Sequence, residues 1–294
     1  MTTLPTRTLG PFTVSAVGLG AMPLSMGANV RPDREQAVAT VHAALDAGVT
    51  FIDTADCYAP SWDAMGHNEQ LVAEALASYG DTSHVTVATK GGITRSEGEV
   101  WGRDGSPEYL RRAVESSLRN LRVDVLDLYQ WHRPDRWRLY PEVVGTFKAL
   151  QEEGKIRAVG ISNANVEEID VALEVLGEGG LASVQNQFSP SFRSSRDELE
   201  HCGRHGVAFL PWSPLGGTGA GSRDVGLTYP VFHEIGSARG VSPQQVVLAW
   251  ELSLGVHVVP IPGASRPASI SDSAQAASLV LTDDELARIE GQFC

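Results

Sequence analysis

The sequence predicts an α/β protein folded as one (β/α)8 barrel with a short N-terminal β-hairpin, and three observations carry that expectation. Short apolar runs alternate with amphipathic stretches along the whole chain. Eight of these runs are mostly rich in Val, Ile, Leu and Phe with little polar alternation, as strands covered on both faces of a parallel sheet should be. The 294 residues also suit one such unit, which typically takes about 250 residues. A doubly wound sheet is the alternative, but no GxGxxG follows the first strand. No linker or low-complexity tract divides the chain, so a single domain over 1–294 is expected.

In chain order, TRTLGPFTV turns at Leu9-Gly10-Pro11 and reads as the hairpin. The strand candidates are SAVGLG (15–20), TFIDTA (50–55), VTVATK (85–90), LDLYQWH (126–132), AVGIS (158–162), SVQNQF (183–188), VAFLPWS (207–213) and VHVVPI (256–261). Helices are expected between them. Val38, Val41, Ala44 and Leu45 share a face over 34–47, which Gly48 ends. Ser106-Pro107 supplies an N-cap and a first-turn proline ahead of Leu110, Val114 and Leu118. Ser242-Pro243 opens 244–252 in the same way, and Pro141 opens 142–153, which stops at Gly154.

Hydrophobic residues form 42% of the chain and charged ones 20%, an ordinary globular balance. The formal net charge is -13, from 23 Lys+Arg against 36 Asp+Glu, with no basic run of the kind a phosphate backbone requires. The N-terminus lacks the charged and apolar regions of a signal peptide, and no apolar stretch approaches the ~20 residues of a membrane helix. The expectation is a soluble, cytoplasmic protein with a small-molecule partner, no nucleic acid and no membrane; oligomeric state is not legible. Cys57, Cys202 and Cys294 are odd in number and not closely spaced, so neither disulfides nor structural zinc are expected.

In such a barrel the carboxyl ends of the strands converge on one mouth. Asp53, Lys90, His132, Asn163, Gln185 and Trp212 fall at or near those ends, with Tyr58 just after the second run. A phenol is a weak acid, with a reference pKa of ~10. Lys90 beside Tyr58 is expected to lower that value, while Asp53 keeps the ammonium charged and aimed. His132 is placed to hydrogen-bond a substrate oxygen. Singly, each has a plainer reading: a turn cap for Asp53, a loop aromatic for Tyr58, a surface charge for Lys90, a backbone-paired ring for His132.

The segments IDTADCY, ATK, YQWH, GKIRAVGISN (154–163), VQNQFS (184–189), PWSPLGG (211–217) and PIPGASR (260–266) together resemble the aldo-keto reductase superfamily over almost the whole chain. The stretch from WGRDGSPEYL to YQWHRPD is similar to bacterial members such as pyridoxal reductases and to the channel β-subunit-like branch. The resemblance implies a nicotinamide cofactor, NADP(H) with NAD(H) left open, lying across the barrel mouth. It implies Tyr58 as general acid, Lys90 and Asp53 as its tuning pair, and His132 as the carbonyl-orienting residue. It further implies Ser162, Asn163 and Gln185 around the carboxamide, Trp212 stacked on the nicotinamide, and Ser213, Pro214, Leu215 and Gly216 along the pyrophosphate. Residues 216–222 would then fold over the cofactor. Gly263, Ser265, Arg266, Ser269 and Asp272 would serve the adenosine end, although Ser269 stands where many members have Arg or Gln and Asp272-Ser273 replaces the usual Glu-Asn. Ala59 departs from the Gly that commonly follows the tyrosine.

Met22, Trp62, Trp101 and Trp131 are candidate walls of the substrate pocket, and Cys57 reads as packing. The expected activity is hydride transfer to an aldehyde or ketone. A cofactor-sensing regulatory subunit of the same ancestry is the alternative. A metal-dependent barrel enzyme is disfavoured, because the strand ends offer one His and one Asp.

Overall fold

The computed structural model describes residues 3–26, 31–217 and 220–293. Cys294, and Thr218 and Gly219 of the 216–222 loop, lie outside the described residues. In chain order the structure runs β1 (Thr6–Leu9), β2 (Phe12–Ser15), β3 (Leu19–Gly20), α1 (Arg34–Asp46), β4 (Phe51–Asp53), α2 (His67–Tyr79), β5 (Thr86–Gly91), β6 (Ile93–Ser96), β7 (Val100–Arg103) and α3 (Pro107–Leu121). It continues with β8 (Leu126–Trp131), α4 (Tyr140–Glu152), β9 (Ile156–Ser162), α5 (Val166–Leu176), β10 (Leu181–Gln185), α6 (Arg196–His205) and β11 (Ala208–Phe209). The remainder is helical: α7 (Ala220–Arg223), α8 (Val225–Thr228), α9 (Pro230–Arg239), α10 (Pro243–Ser253), α11 (Pro267–Gln275) and α12 (Asp283–Gly291).

A seven-stranded parallel sheet in the order β11-β10-β9-β8-β5-β4-β3 curls on itself, consistent with a (β/α)8 barrel. The expected eighth strand, 256–261, is not a regular strand, yet it occupies the gap between the first and the last. Val259 and Ile261 donate to Phe209 and Pro211 carbonyls on one side, and Pro260 and Pro262 carbonyls accept from Gly18 and Gly20 on the other. The two prolines face β3 without an N–H, so that side of the ladder is half made. At its upper end Gly20 bridges Gly263, an approach so close that a Cβ on Gly20 would lie 2.7 Å from the Ile261 carbonyl oxygen.

Side-chain alternation along the strands decides what the barrel contains. Phe51, Ala88, Leu128, Ala158, Ala208 and Val259 form one interior cluster with Leu9 and Val14, so the β1–β2 hairpin plugs the closed end. Counting two residues onward from Phe51, Ala88 and Leu128 brings Asp53, Lys90 and Gln130 into the same lumen, one layer nearer the mouth. The opposite faces meet the helices in a larger core that holds Val72, Val114, Phe147 and Trp250. The helix starts follow their caps: the side chains of Ser106 and Ser242 accept from the Tyr109 and Gln245 amides, each ahead of a first-turn proline. Among the described residues no helix is long and apolar enough to cross a membrane.

Candidate active site

Lys90 reaches the centre of the mouth from β5 and is fully buried. Its Nζ donates to Asp53 Oδ2 at 2.5 Å, to the Thr54 carbonyl at 2.8 Å and to Tyr58 Oη at 3.3 Å. Asp53 Oδ1 accepts from the side-chain amides of Gln130 (3.1 Å) and Gln185 (2.8 Å), so both carboxylate oxygens are engaged by donors. Burial pulls the Lys90 ammonium toward the neutral form, but Asp53 and Tyr58 outweigh it and its pKa ends above the ordinary value. The lysine is therefore a fixed positive charge one hydrogen bond from the phenol.

Tyr58 departs from the expectation of a lowered pKa. Burial raises the phenol, and although Lys90 pulls it down, Asp53 and Cys57 push with burial, leaving it pushed up to about 12. Desolvation of the phenolate outweighs one ammonium at 3.3 Å, so at neutral pH the hydroxyl keeps its proton.

His132 packs edge-on against Tyr58, with ring centroids 5.5 Å apart. Its backbone N–H donates to the Gly91 carbonyl, and its Nδ1 lies 3.5 Å from Cys57 Sγ. Burial, Lys90 and Arg133 together hold the imidazole well below its usual pKa, so the ring is neutral. Burial also pushes the Cys57 thiol up. With the thiol protonated, its S–H is placed to hydrogen-bond Nδ1, and that arrangement goes with the tautomer carrying the ring proton on Nε2.

A cavity of about 770 Å³ opens above these groups, lined by Asp53, Tyr58 and His132 at one end and reaching Ser265, Arg266 and Ser269. Two of its lining residues, Asn163 (φ 59°) and Ser213 (φ 53°), hold left-handed backbone without being glycine, a strain that clusters at functional sites. Asn163 is held there by its Nδ2, which donates to the His132 carbonyl at 3.0 Å and to Ser162 Oγ at 2.9 Å. Ser162 Oγ in turn donates to the Gln185 carbonyl at 2.6 Å.

Most of the residues singled out from sequence border this cavity: Met22, Trp101, Ser162, Asn163, Gln185, Trp212, Ser213, Pro214, Leu215, Gly263, Ser265, Arg266 and Ser269. Four do not. Trp131 is buried against Tyr140 with ring centroids 4.8 Å apart, because alternation points it outward between the inward-facing Gln130 and His132. Trp62 stands on the surface, its amide donating to Glu99, and does not wall the pocket. Asp272 is turned to α10, accepting from Ser242 Oγ at 2.7 Å and Gln245 Nε2 at 2.6 Å, rather than toward the cavity. Gly216 closes a turn onto the Ser213 carbonyl, and it is Gly217 that borders the space.

Sequence reasoning missed three contributors. Gln130 was legible from alternation, being polar at the lumen position of an apolar strand. The β6–β7 hairpin, with Gly98 (φ 79°) and Glu99 (φ 60°) in its turn, carries Trp101, which lies over the Arg95 guanidinium at 4.4 Å. Arg95 also donates to the Cys57 and Ala59 carbonyls and pairs with Glu99, which ties the hairpin to the Tyr58 loop. Arg133, directly after His132, borders the cavity as well.

The chain matches the Aldo/keto reductase family over residues 16–292. Pyridoxine 4-dehydrogenase of Escherichia coli is 30% identical over 295 residues, 97% of this chain and 97% of that protein. A glycerol dehydrogenase of Gluconobacter oxydans has a similar structure, with a TM-score of 0.84 at 29% identity over 98% of this chain and 94% of its own. An aldo/keto reductase of Klebsiella pneumoniae, solved in complex with NADP and acetate, gives 0.80 at 29% identity over 97% and 94%. The lysine-centred site at the barrel mouth thus sits within a match that spans nearly the whole sequence, and the chain belongs to the aldo/keto reductase family.

Proposed function

We propose that this protein is an NADPH-dependent reductase of aldehydes or ketones, with Tyr58 as the general acid. The observation that carries the reading is the buried chain Asp53–Lys90–Tyr58, which ends in a protonated phenol at the floor of the cavity, with neutral His132 against it. A phenol that keeps its proton suits donation to a carbonyl oxygen as negative charge develops there. The Lys90 ammonium stabilises the phenolate left behind, and Asp53 keeps that ammonium in place. His132 donates from Nε2 to the same oxygen and orients it.

The residues fit a nicotinamide dinucleotide phosphate. Ser162, Asn163 and Gln185 offer hydroxyl and amide groups suited to a carboxamide, and Trp212 offers an aromatic face for a ring. At the far end α11 begins at Pro267 with no side chain capping its first amides, and Ser265, Arg266 and Ser269 gather beside it. That donor set suits a phosphate monoester. When bound, the reduced cofactor supplies the hydride that adds to the carbonyl carbon. The proton comes from Tyr58 Oη, and the phenol is restored from solvent.

NADPH oxidation measured against aldehydes, ketones, sugars and pyridoxal, and repeated with NADH, tests this reading. Multiple turnovers with at least one carbonyl and a preference for NADPH are expected. Consumption of no more than one equivalent of NADPH per chain across the panel would overturn it in favour of a cofactor-sensing subunit.

A further inference from the structure

Two arginines at the reacting end of the cavity have no role in the chemistry above. Arg133 follows His132, is about half buried and borders the cavity. Among the described residues its guanidinium has no hydrogen-bond or carboxylate partner, and its one contact of note is with the Trp212 ring, at 5.8 Å. Arg103, at the end of β7, borders the same space and spends Nη1 on the Pro134 carbonyl at 3.1 Å, again without a carboxylate. The nearby acids are engaged elsewhere: Arg138 takes both Asp104, at 3.7 Å, and Asp135, at 3.4 Å.

A guanidinium carries five N–H donors and no acceptor, and burying part of one without a partner is costly. Arg133 is half-buried and Arg103 exposed, and both border one cleft in a chain of net charge -13, where acidic partners are plentiful. Burial and the charge of Arg103 both pull the Arg133 pKa down, as for cations placed together without a counter-ion. Arg133 feels the charges of Tyr58 and Cys57, lies 5.8 Å from the Trp212 ring and shares the cavity lining with all three, so an anion held there lies on the Tyr58 side of the space, while Arg266 at the α11 terminus lines it as well.

We propose that Arg133 and Arg103 form an anion subsite that receives a carboxylate or phosphate borne by the carbonyl substrate. The substrate's carbonyl is taken from the reductase reading; its charge rests on the arginines alone. Trp101, Met22 and Ile93 supply apolar walls around the remainder of the molecule.

The test compares matched pairs at saturating NADPH: benzaldehyde with 4-carboxybenzaldehyde, and pyridoxal with pyridoxal 5′-phosphate. In the wild type the anionic member of at least one pair should have the higher kcat/KM, and the pair that responds identifies carboxylate or phosphate. In Arg133→Gln the charged-to-neutral ratio should fall roughly 10–100-fold, as expected for a charge-assisted contact, and in Arg103→Gln it should fall in the same direction. Ratios near one in the wild type, or ratios that neither variant alters, overturn the subsite. So does a loss of NADPH affinity in Arg133→Gln as large as the loss of ratio, because the arginine would then be holding the cofactor.

A second readout needs no turnover. Benzoate and inorganic phosphate are titrated into the NADP-bound protein while tryptophan fluorescence is followed, since Trp101 and Trp212 border the cavity. Saturable binding of either anion that Arg133→Gln abolishes supports the subsite even where no aldehyde is reduced. The absence of saturable binding in the wild type overturns it whatever the activity.

Discussion

Asp53→Asn changes one atom's chemistry at constant shape, and the hydrogen-bond pattern gives its effect a size. The two carboxylate oxygens accept from three donors, Lys90 Nζ on one side and the amides of Gln130 and Gln185 on the other. An asparagine has one oxygen and one NH2. Whichever way it is oriented, a donor faces either an ammonium or two amide groups. One charge-assisted contact is lost, about 1.5–3 kcal/mol, and one buried donor is left unsatisfied, about 1–3 kcal/mol. The expected loss of stability is therefore roughly 3–5 kcal/mol, the range for breaking a buried pair from one side.

Guanidinium unfolding followed by circular dichroism reads that loss. Lys90→Met should cost a similar amount by itself. In the double variant the NH2 of the introduced asparagine can turn to the Thr54 carbonyl that the lysine vacates, so the pair of substitutions should cost at least ~1 kcal/mol less than their sum. An Asp53→Asn protein within ~1 kcal/mol of wild type, or strict additivity, refutes the claim that one carboxylate serves the three donors together.

Three further outcomes follow from the site and the core. Tyr58→Phe should lower kcat by about 10²–10⁴-fold with NADPH binding changed less than threefold, measured by steady-state kinetics and fluorescence titration; near-normal turnover removes the phenol from the reaction. Arg266→Ala should weaken NADPH roughly tenfold or more and leave NADH nearly unchanged, and equal losses for both would place the guanidinium away from the 2′-phosphate. Glu251 is fully buried in α10, neither oxygen has a partner among the described residues, and burial raises its pKa well above the carboxylate range. A folded-state pKa above the unfolded one gives stability that is complete below about pH 4 and is lost as pH rises from there, so Glu251→Leu should stabilise at pH 8 by about 1–3 kcal/mol and by less at pH 5. A gain independent of pH would show that the carboxyl is not buried neutral; the measurement is the unfolding midpoint across that range.

The run of strands and the positions of Asp53, Lys90 and His132 were legible because the lumen residues repeat every second position and the strands are apolar throughout, whereas Tyr58 was placed only by following the second run. The same rule, applied one step further, reads Gln130 inward and Trp131 outward; adjacency to His132 alone misplaces the tryptophan. The strand expected at 256–261 is irregular because Pro260 and Pro262 cannot donate, a fact visible in the sequence whose consequence depends on which neighbour they face. The reversed direction of the Tyr58 shift was not legible, since it turns on how completely the barrel mouth removes water. Asp272 illustrates another limit: it lies near the site in the chain, but its carboxylate goes to Ser242 and Gln245, which come from another element.

The half-made ladder between β3 and the 257–263 segment has a mechanical consequence. It is the seam at which the first and last staves of the cylinder meet, and its prolines bring carbonyls but no N–H groups to it. The cavity straddles it, bordered by Gly20, Met22 and Pro23 on one bank and Ile261, Gly263 and Ala264 on the other. A molecule filling that cleft touches both banks at once and braces the seam from the side of the cavity. Occupancy then steadies a seam that the backbone has already closed, and the amides of Gly18 and Gly20, which bind the proline carbonyls across it, are the ones whose exchange with solvent should slow most when the cleft is filled.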